Sequence, residues 1–290
     1  MCRVRLAIGS AQFGLDYGIS NHTGQVTLSE GSAVLNLARA NGISTIDTAI
    51  GYGNSECRLG QIGVQNWKIV TKLPAIPDGC KDIYRWVNTS INDSLGRLKV
   101  NNLYGILLHR PQQLLEKDGE LLYLALQRLK EKKIVKKVGI SIYDPSELDV
   151  LLDKYKLDLV QAPFNVFDHR LIESGWMREL SERGVELHVR SIFLQGLLLM
   201  TNENRPVKFN RWRNLWNCWG DWLQASDLSA TEACVRYALS FPEISQVIIG
   251  VNSQQQLSEI IKASNGSIPI LPNQIISREV DLINPACWKI

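Results

Sequence analysis

Residues 44–60 read STIDTAIGYGNSECRLG. A short apolar run ends on a carboxylate, Asp47; small residues follow; a phenol, Tyr52, sits between two glycines just before Glu56. An apolar run that ends on an acid and bends through glycine into a helix-prone stretch is the repeating unit of parallel α/β proteins. The alternation continues on both sides. Strand candidates lie at 4–8, 45–47, 68–72, 103–109, 138–142, 159–163, 187–190 and 247–249. Helix-like segments lie at 29–41, 56–62, 82–98, 118–132, 145–155, 173–183, 229–241 and 254–263. Ser29, Asp144 before Pro145, and Ser229 three residues ahead of Glu232 read as helix caps. Eight strand–helix alternations with almost no linker composition predict an α/β fold, a (β/α)8 TIM barrel, with 1–290 as a single domain.

The exception is 201–228, a loop and tryptophan-rich helical insertion within the barrel. In RWRNLWNCWGDWLQ (211–224), Trp212, Trp216 and Trp219 recur at helical spacing. The plain reading is a buried helix face; a wall of the substrate pocket is the alternative.

Composition excludes several classes. The 290 residues are 45% hydrophobic and 21% charged, which allows a sizeable core. A net charge of +3 gives no ground for nucleic acid or an anionic membrane as partner. No apolar run approaches the ~18 residues of a membrane span, and the amino-terminal stretch is too short for a signal sequence. Six scattered cysteines without a CxxC pair read as reduced thiols in a cytoplasmic protein, with no metal site.

In a parallel α/β barrel, catalytic groups gather where strands run into their following loops. Asp47 ends one strand candidate, Lys72 closes KIVTK, His109 closes LYGILLH, and Tyr52 lies in the loop after the second strand. Taken alone, these would be a helix cap, a solvated lysine, a satisfied histidine and a packed phenol. Together they are a working set. Lys72, paired with Asp47 and close to Tyr52, would favour the phenolate and lower the tyrosine pKa from its usual ~10. A tyrosine tuned that way donates a proton to a carbonyl oxygen near neutral pH, and His109 would orient that oxygen.

On these residues the sequence resembles the aldo-keto reductase superfamily. GISTIDTAIGYGNSE (42–56) matches its D-T-A-x-x-Y-G-x-S-E stretch, VTKL (70–73) its lysine strand and LLHRP (107–111) its histidine strand. VGISIYDPSEL, LVQAPFNVFDHR, VRSIFLQGLL and VIIGVNSQQQL fall where the family places its cofactor-binding segments, so the likeness spans roughly 4–263. The resemblance implies an NAD(P)H-dependent enzyme: hydride passes between a nicotinamide and a small-molecule carbonyl while Tyr52 supplies the proton. It implies that Asp47 and Lys72 tune Tyr52, that His109 positions the carbonyl, and that no metal takes part.

By the same resemblance Gly9 and Ser10 line the cofactor, with Gln12, Phe13 and Asn165 on the substrate wall. Ser141 and Gln161 match the residues that contact the carboxamide, although Ile142 stands where an asparagine is usual. Arg190 replaces the aromatic residue that stacks on the nicotinamide. Its charge would favour the reduced, neutral ring. Ser191, Leu194 and Gly196 fit the pyrophosphate segment. Gly250, Asn252, Ser253, Gln256 and Glu259 fit the adenosine end, where a helix amino terminus suits phosphate. The lysine and arginine that many members offer to a 2′-phosphate are absent, so the expected cofactor is NADPH with a modest preference, NADH also serving, and Lys262 a candidate to compensate. The stretch 8–25 is similar to aldo-keto reductase-like proteins associated with bacterial surface-polysaccharide and modified-sugar synthesis. Gln12, Asn21, His22, Asn165, His169 and Arg190 suit a hydroxylated substrate, which points to a sugar or nucleotide sugar. The alternative is a regulatory subunit resembling potassium-channel β subunits, which bind cofactor chiefly as interaction partners. Against it, the chain starts almost at its first strand. Oligomeric state is not legible.

Overall fold

All eight expected strands form, and they pair in the order in which they occur. In the computed structural model, which describes residues 4–288, β1 (Leu6–Gly9), β2 (Thr45–Asp47), β3 (Lys68–Leu73), β4 (Leu103–Leu108), β5 (Val135–Ser141), β6 (Leu159–Pro163), β7 (Glu186–Arg190) and β8 (Ile244–Gly250) are consecutive neighbours. The last pairs with the first, which closes a parallel barrel. Helices cover its outside.

Side chains alternate across a strand, and residues paired across a parallel ladder share a face. One alternate set, including Ile46, Ile69, Ile106, Ile140, Val160 and Ile249, joins the large core under the helices. The other set faces the lumen, where Val70, Leu107 and Leu159 form a separate small cluster. Asp47 is in register with Val70, Lys72 with Leu107, Ser141 with Gln161, and Gly9 with both Asp47 and Gly250. The two-residue step therefore carries all of these inward.

Capping explains most helix starts, with two shifts. Thr27, not Ser29, caps the helix Leu28–Ala40 by accepting from Glu30 N at 3.2 Å. Asp144 organises the turn ahead of Glu147–Lys154, accepting from Ser146 N at 2.9 Å, rather than capping that helix itself. Ser229 and Glu232 form the expected reciprocal pair at the start of Ala230–Leu239. The stretch expected at 173–183 splits into Arg170–Glu173 and Trp176–Glu182 at Gly175, whose φ of 80° few other residues adopt.

The tryptophan-rich segment is the helix Arg213–Ala225, preceded by the 3-10 turn Val207–Trp212. Trp216 and Trp219 are buried against Phe167. Their indole N–H groups donate to Phe209 O at 3.0 Å and Leu198 O at 3.2 Å. A feature with no clear signal in the sequence is the return of the chain end over this helix: Ile275, Leu282 and Ile283 are fully buried, and Ser277 N donates to Phe167 O at 2.9 Å.

Candidate functional site

The carboxyl ends of the strands open onto one cavity of about 470 Å³, a volume typical of small-molecule sites. Asp47, Tyr52, Lys72 and His109 all line it. Lys72 is almost completely buried; its Nζ lies 2.7 Å from each carboxylate oxygen of Asp47 and 3.0 Å from Thr48 O. Burial opposes charge on Lys72, but Asp47 and Tyr52 outweigh it and hold the ammonium above its ordinary pKa. Nζ stands 5.0 Å from the centre of the Tyr52 ring, and the rings of Tyr52 and His109 meet edge to face at 6.0 Å. Burial, reinforced by Lys72 and Arg190 against a smaller pull from Asp47, pushes the His109 imidazole down to about 4. It is neutral at physiological pH.

The loop that carries Tyr52 is fixed from both sides. Ile50 N donates to Lys72 O at 3.1 Å. On the other side the segment after β1 lies so close that a Cβ on Gly14 would sit 1.8 Å from Tyr52 O, and one on Gly53, at φ 53°, 2.4 Å from Gly14 O. Glu56 anchors the far end. Its buried carboxylate accepts from Thr71 and Ser94 hydroxyls at 2.7 Å and from Arg97 Nε at 2.8 Å, tying the helix Ser55–Ile62 to β3 and to Ile83–Leu98. Glycine thus lets the loop approach, and a buried acid pins it.

Gly9, Ser10, Gln12, Ser141, Arg190, Ser191, Gly196, Gly250, Asn252, Gln256 and Glu259 line the same cavity. The other expected residues are elsewhere. Phe13, expected on the substrate wall, is core: it packs beneath Gly31. Asn165 is buried in a turn, its Oδ1 accepting from Phe167 N and Asp168 N and its amide donating to Ser191 O at 3.3 Å. Leu194, in the loop after β7, is fully buried. Ser253 caps the helix Gln254–Ala263. Gln161 is fully buried, its amide donating to Asp47 Oδ1 at 2.7 Å. His169 stacks on Tyr237, with 2.7 Å between Nε2 and the phenol oxygen, and does not line the cavity. The three tryptophans do not line it either, so the plain reading of that helix face holds.

Sequence reading missed Tyr17, Tyr143 and Gln195. Tyr143 lies under the Arg190 guanidinium, 4.5 Å from its carbon, while Arg190 donates to Ile142 O at 2.8 Å and to Ser191 Oγ at 3.4 Å. Gln195 Nε2 donates to the Tyr17 hydroxyl at 3.2 Å, clasping the loop after β1 to the loop after β7. Tyr17 is driven above the ordinary tyrosine pKa by burial and then by Tyr52. The loop after β7 is strained: Ser191, Leu194 and Gln195 all have positive φ, with Gly196 at 90°. Such strain concentrates at ligand-binding segments, and runs of this kind aim backbone N–H groups at anions. A side chain in a loop has no periodicity to single it out, so nothing in the sequence marks these three.

The cavity fits a nicotinamide dinucleotide. It runs without interruption from the Tyr52 phenol to the amino end of the helix Gln254–Ala263. Its floor is kept low by paired glycines, since a Cβ on Gly250 would come within 2.4 Å of the Gln12 amide. Asn252 Oδ1 is buried without a partner. Among the described residues, no helix is long and apolar enough to cross a membrane, and no cluster of three metal-ligating side chains occurs.

A family model, that of the aldo/keto reductases, matches residues 5–275. The chain is 26% identical over 254 residues to an uncharacterised oxidoreductase, YqkF, of Bacillus subtilis (strain 168), which covers 80% of this chain and 81% of that protein. Among solved structures it is similar to an aldo-keto reductase from Bacillus halodurans, with a TM-score of 0.74, 18% identity, and coverage of 95% and 94% of the two chains. It is also similar to a glycerol dehydrogenase from Gluconobacter oxydans, with a TM-score of 0.69, 20% identity and coverage of 91% and 88%. At these identities the structural likeness speaks for the fold alone.

Proposed function

The chain belongs to the aldo/keto reductase family and is an NAD(P)H-dependent oxidoreductase, and from that premise we propose that it interconverts the carbonyl and alcohol forms of a sugar-like substrate with Tyr52 as the proton donor and acceptor. The observation that carries this reading is the convergence of Lys72, paired with Asp47, and the neutral His109 on the Tyr52 ring at a cavity wall.

The nicotinamide, when bound, supplies or accepts the hydride at the carbonyl carbon. Tyr52 gives its proton to the carbonyl oxygen as negative charge builds there, a step worth ~10²–10⁴-fold in rate. The Lys72 ammonium, kept charged by Asp47 in a site removed from water, stabilises the phenolate left behind. Gln161 in turn fixes Asp47. His109, held neutral, offers an N–H to the same oxygen without competing as an acid. In the oxidative direction the phenolate takes the alcohol proton back. Ser141 would meet the carboxamide, Ser191 and Gly196 the pyrophosphate, and Gly250 to Glu259 the adenosine.

The substrate class rests on the lining. Gln12, Tyr17, Asn21 and Gln195 bring hydroxyl and amide groups to the cavity, which suits a polyhydroxy compound better than a hydrocarbon. A sugar or nucleotide sugar of surface-polysaccharide synthesis is the finer form of this proposal. Steady-state reduction of a carbonyl panel tests it: polyhydroxy aldehydes and ketosugars turn over better than hydrophobic ketones. The reverse order removes the sugar assignment and leaves the reductase. A protein that binds cofactor but is inert on the whole panel favours the regulatory reading instead.

A further inference from the structure

Resting on the reading that this cavity holds a nicotinamide dinucleotide, we propose that its adenosine end selects NADH and rejects NADPH, with Glu30 as the specificity-determining residue.

NADPH differs from NADH by one 2′-phosphate, a dianion that takes hydrogen bonds and gives none. Proteins receive such a group with lysine, arginine or uncommitted backbone N–H groups at a helix start. The only lysine and arginine among the described residues lining the cavity are Lys72 and Arg190. Lys72 is committed to Asp47 and Thr48 O. Arg190, at the end of β7, acts electrostatically on His109 and so stands among the catalytic groups. Lys262 does not line the cavity; eight residues beyond Gln254 on one helix, it lies about 12 Å along the axis from the amino end.

Three of the N–H groups around the helix start are already taken. Asn252 N donates to Gln256 Oε1 at 2.8 Å, Gln254 N to Glu30 Oε1 at 2.5 Å, and Gln256 N to Ser253 Oγ at 3.1 Å. The acceptor on Gln254 N is therefore a carboxylate, from the first turn of the neighbouring helix Leu28–Ala40. A second carboxylate, Glu259, lines the cavity nearby. Glu30 does not itself line the cavity, but Gln254 lies between the lining residues Asn252 and Gln256, so a 2′-phosphate that reached for Gln254 N would have to displace the Glu30 carboxylate. A ribose diol does the opposite: it brings O–H donors to a place with surplus acceptors, the Glu30 carboxylate and the buried, unpartnered Asn252 Oδ1. Acceptor-rich and cation-free, this end is built for hydroxyl groups.

Dissociation constants for NADH and NADPH, measured by calorimetry on the wild type, Glu30→Gln and Gln256→Arg, test the proposal without turnover. The same series with adenosine diphosphate, with and without a 2′-phosphate, removes the nicotinamide from the question. Wild type binds NADH about tenfold or more tightly than NADPH, a factor of ten being about 1.4 kcal/mol. Glu30→Gln keeps an acceptor for Gln254 N but loses the charge, and narrows the ratio. Gln256→Arg frees Asn252 N, adds a cation and narrows it further. NADPH binding as tightly as NADH to the wild type overturns the proposal. A preference for NADH that Glu30→Gln leaves unmoved, in a variant with unchanged melting temperature, overturns the role of Glu30. If neither dinucleotide binds, the oxidoreductase reading falls and takes this one with it.

Discussion

The barrel lumen holds a lysine–carboxylate pair at each end, fully buried at one and partly exposed at the other, and only the buried pair lines the cavity at the carboxyl ends of the strands. At the carboxyl end, Lys72 grips both oxygens of Asp47, with a phenol and a neutral imidazole beside it facing open space. At the amino end, Lys137 meets Glu186, which also accepts from the Tyr104 hydroxyl at 2.7 Å and lies 3.1 Å from His188 Nε2. Burial alone would raise the Glu186 carboxyl, but His188, Lys137 and Tyr104 together hold it well below the usual carboxylate range. None of these four residues lines the cavity. Buried charge and perturbed titration are thus common to both ends, and neither property marks a site by itself. The difference is commitment. Glu186 is engaged by the chain's own donors and plugs the barrel, whereas Tyr52 and His109 face the cavity.

The sharpest way to break that contrast is at the phenol. Tyr52→Phe removes one hydroxyl from the cavity wall, so turnover should fall ~10²–10⁴-fold, which is about 3–5 kcal/mol of transition-state stabilisation. Cofactor affinity and melting temperature should hardly change. Stopped-flow turnover with calorimetric cofactor binding checks both, and near-normal turnover would reject Tyr52 as the proton donor.

The mirror experiment lies at the other end. Glu186→Gln leaves Lys137 and His188 without their carboxylate; breaking a buried pair in this way costs about 3–5 kcal/mol, toward the lower figure here because Lys137 is partly exposed. The urea midpoint should drop while kcat in the folded protein stays put. Loss of kcat comparable to that of Tyr52→Phe would mean that the amino-end cluster communicates with the site, and the division between plug and site would fail.

What the sequence disclosed follows the same division. Asp47, Lys72 and His109 were legible because each ends an apolar run, and a two-residue period carries chemistry at strand ends into the lumen. Glu186 and His188 obey the same period but read as ordinary strand polarity, since nothing local says that Lys137 and Tyr104 converge on them from two other strands. Phe13 and Asn165 were misplaced because local structure keeps both out of the cavity. Phe13 belongs to a four-residue helix that turns it under Gly31, and Asn165 spends its side-chain carbonyl on its own turn and its amide on Ser191 O. Tyr17 and Gln195 meet only because two loops far apart in sequence close over one mouth. Proximity of that kind is decided by the barrel, not by spacing.

The smallest expected effect separates the two ends by pH. A histidine in the unfolded chain takes up its proton near pH 6.5, but folded His109 resists until about 4. Between those values the unfolded state binds more protons, so stability falls as pH is lowered and rises as pH is raised. At about 1.36 kcal/mol per pKa unit the full difference is about 3 kcal/mol, and the partial exposure of His109 at the cavity reduces this to about 1–2 kcal/mol. Glu186, whose carboxyl is depressed, contributes stability above its unfolded pKa of 4.5 that is lost only as pH drops below that value. Of these two groups, His109 acts in the interval from 6.5 down to 4.5, where His169, also held low by burial, adds a slope of the same sign, and Glu186 acts increasingly below 4.5. Urea midpoints across this range should show His109→Gln flattening the upper interval and Glu186→Gln flattening the lower one. Parallel curves for wild type and His109→Gln between pH 6.5 and 4.5 would mean that the imidazole takes its proton as freely folded as unfolded, and burial with Lys72 and Arg190 would no longer explain a neutral ring beside Tyr52.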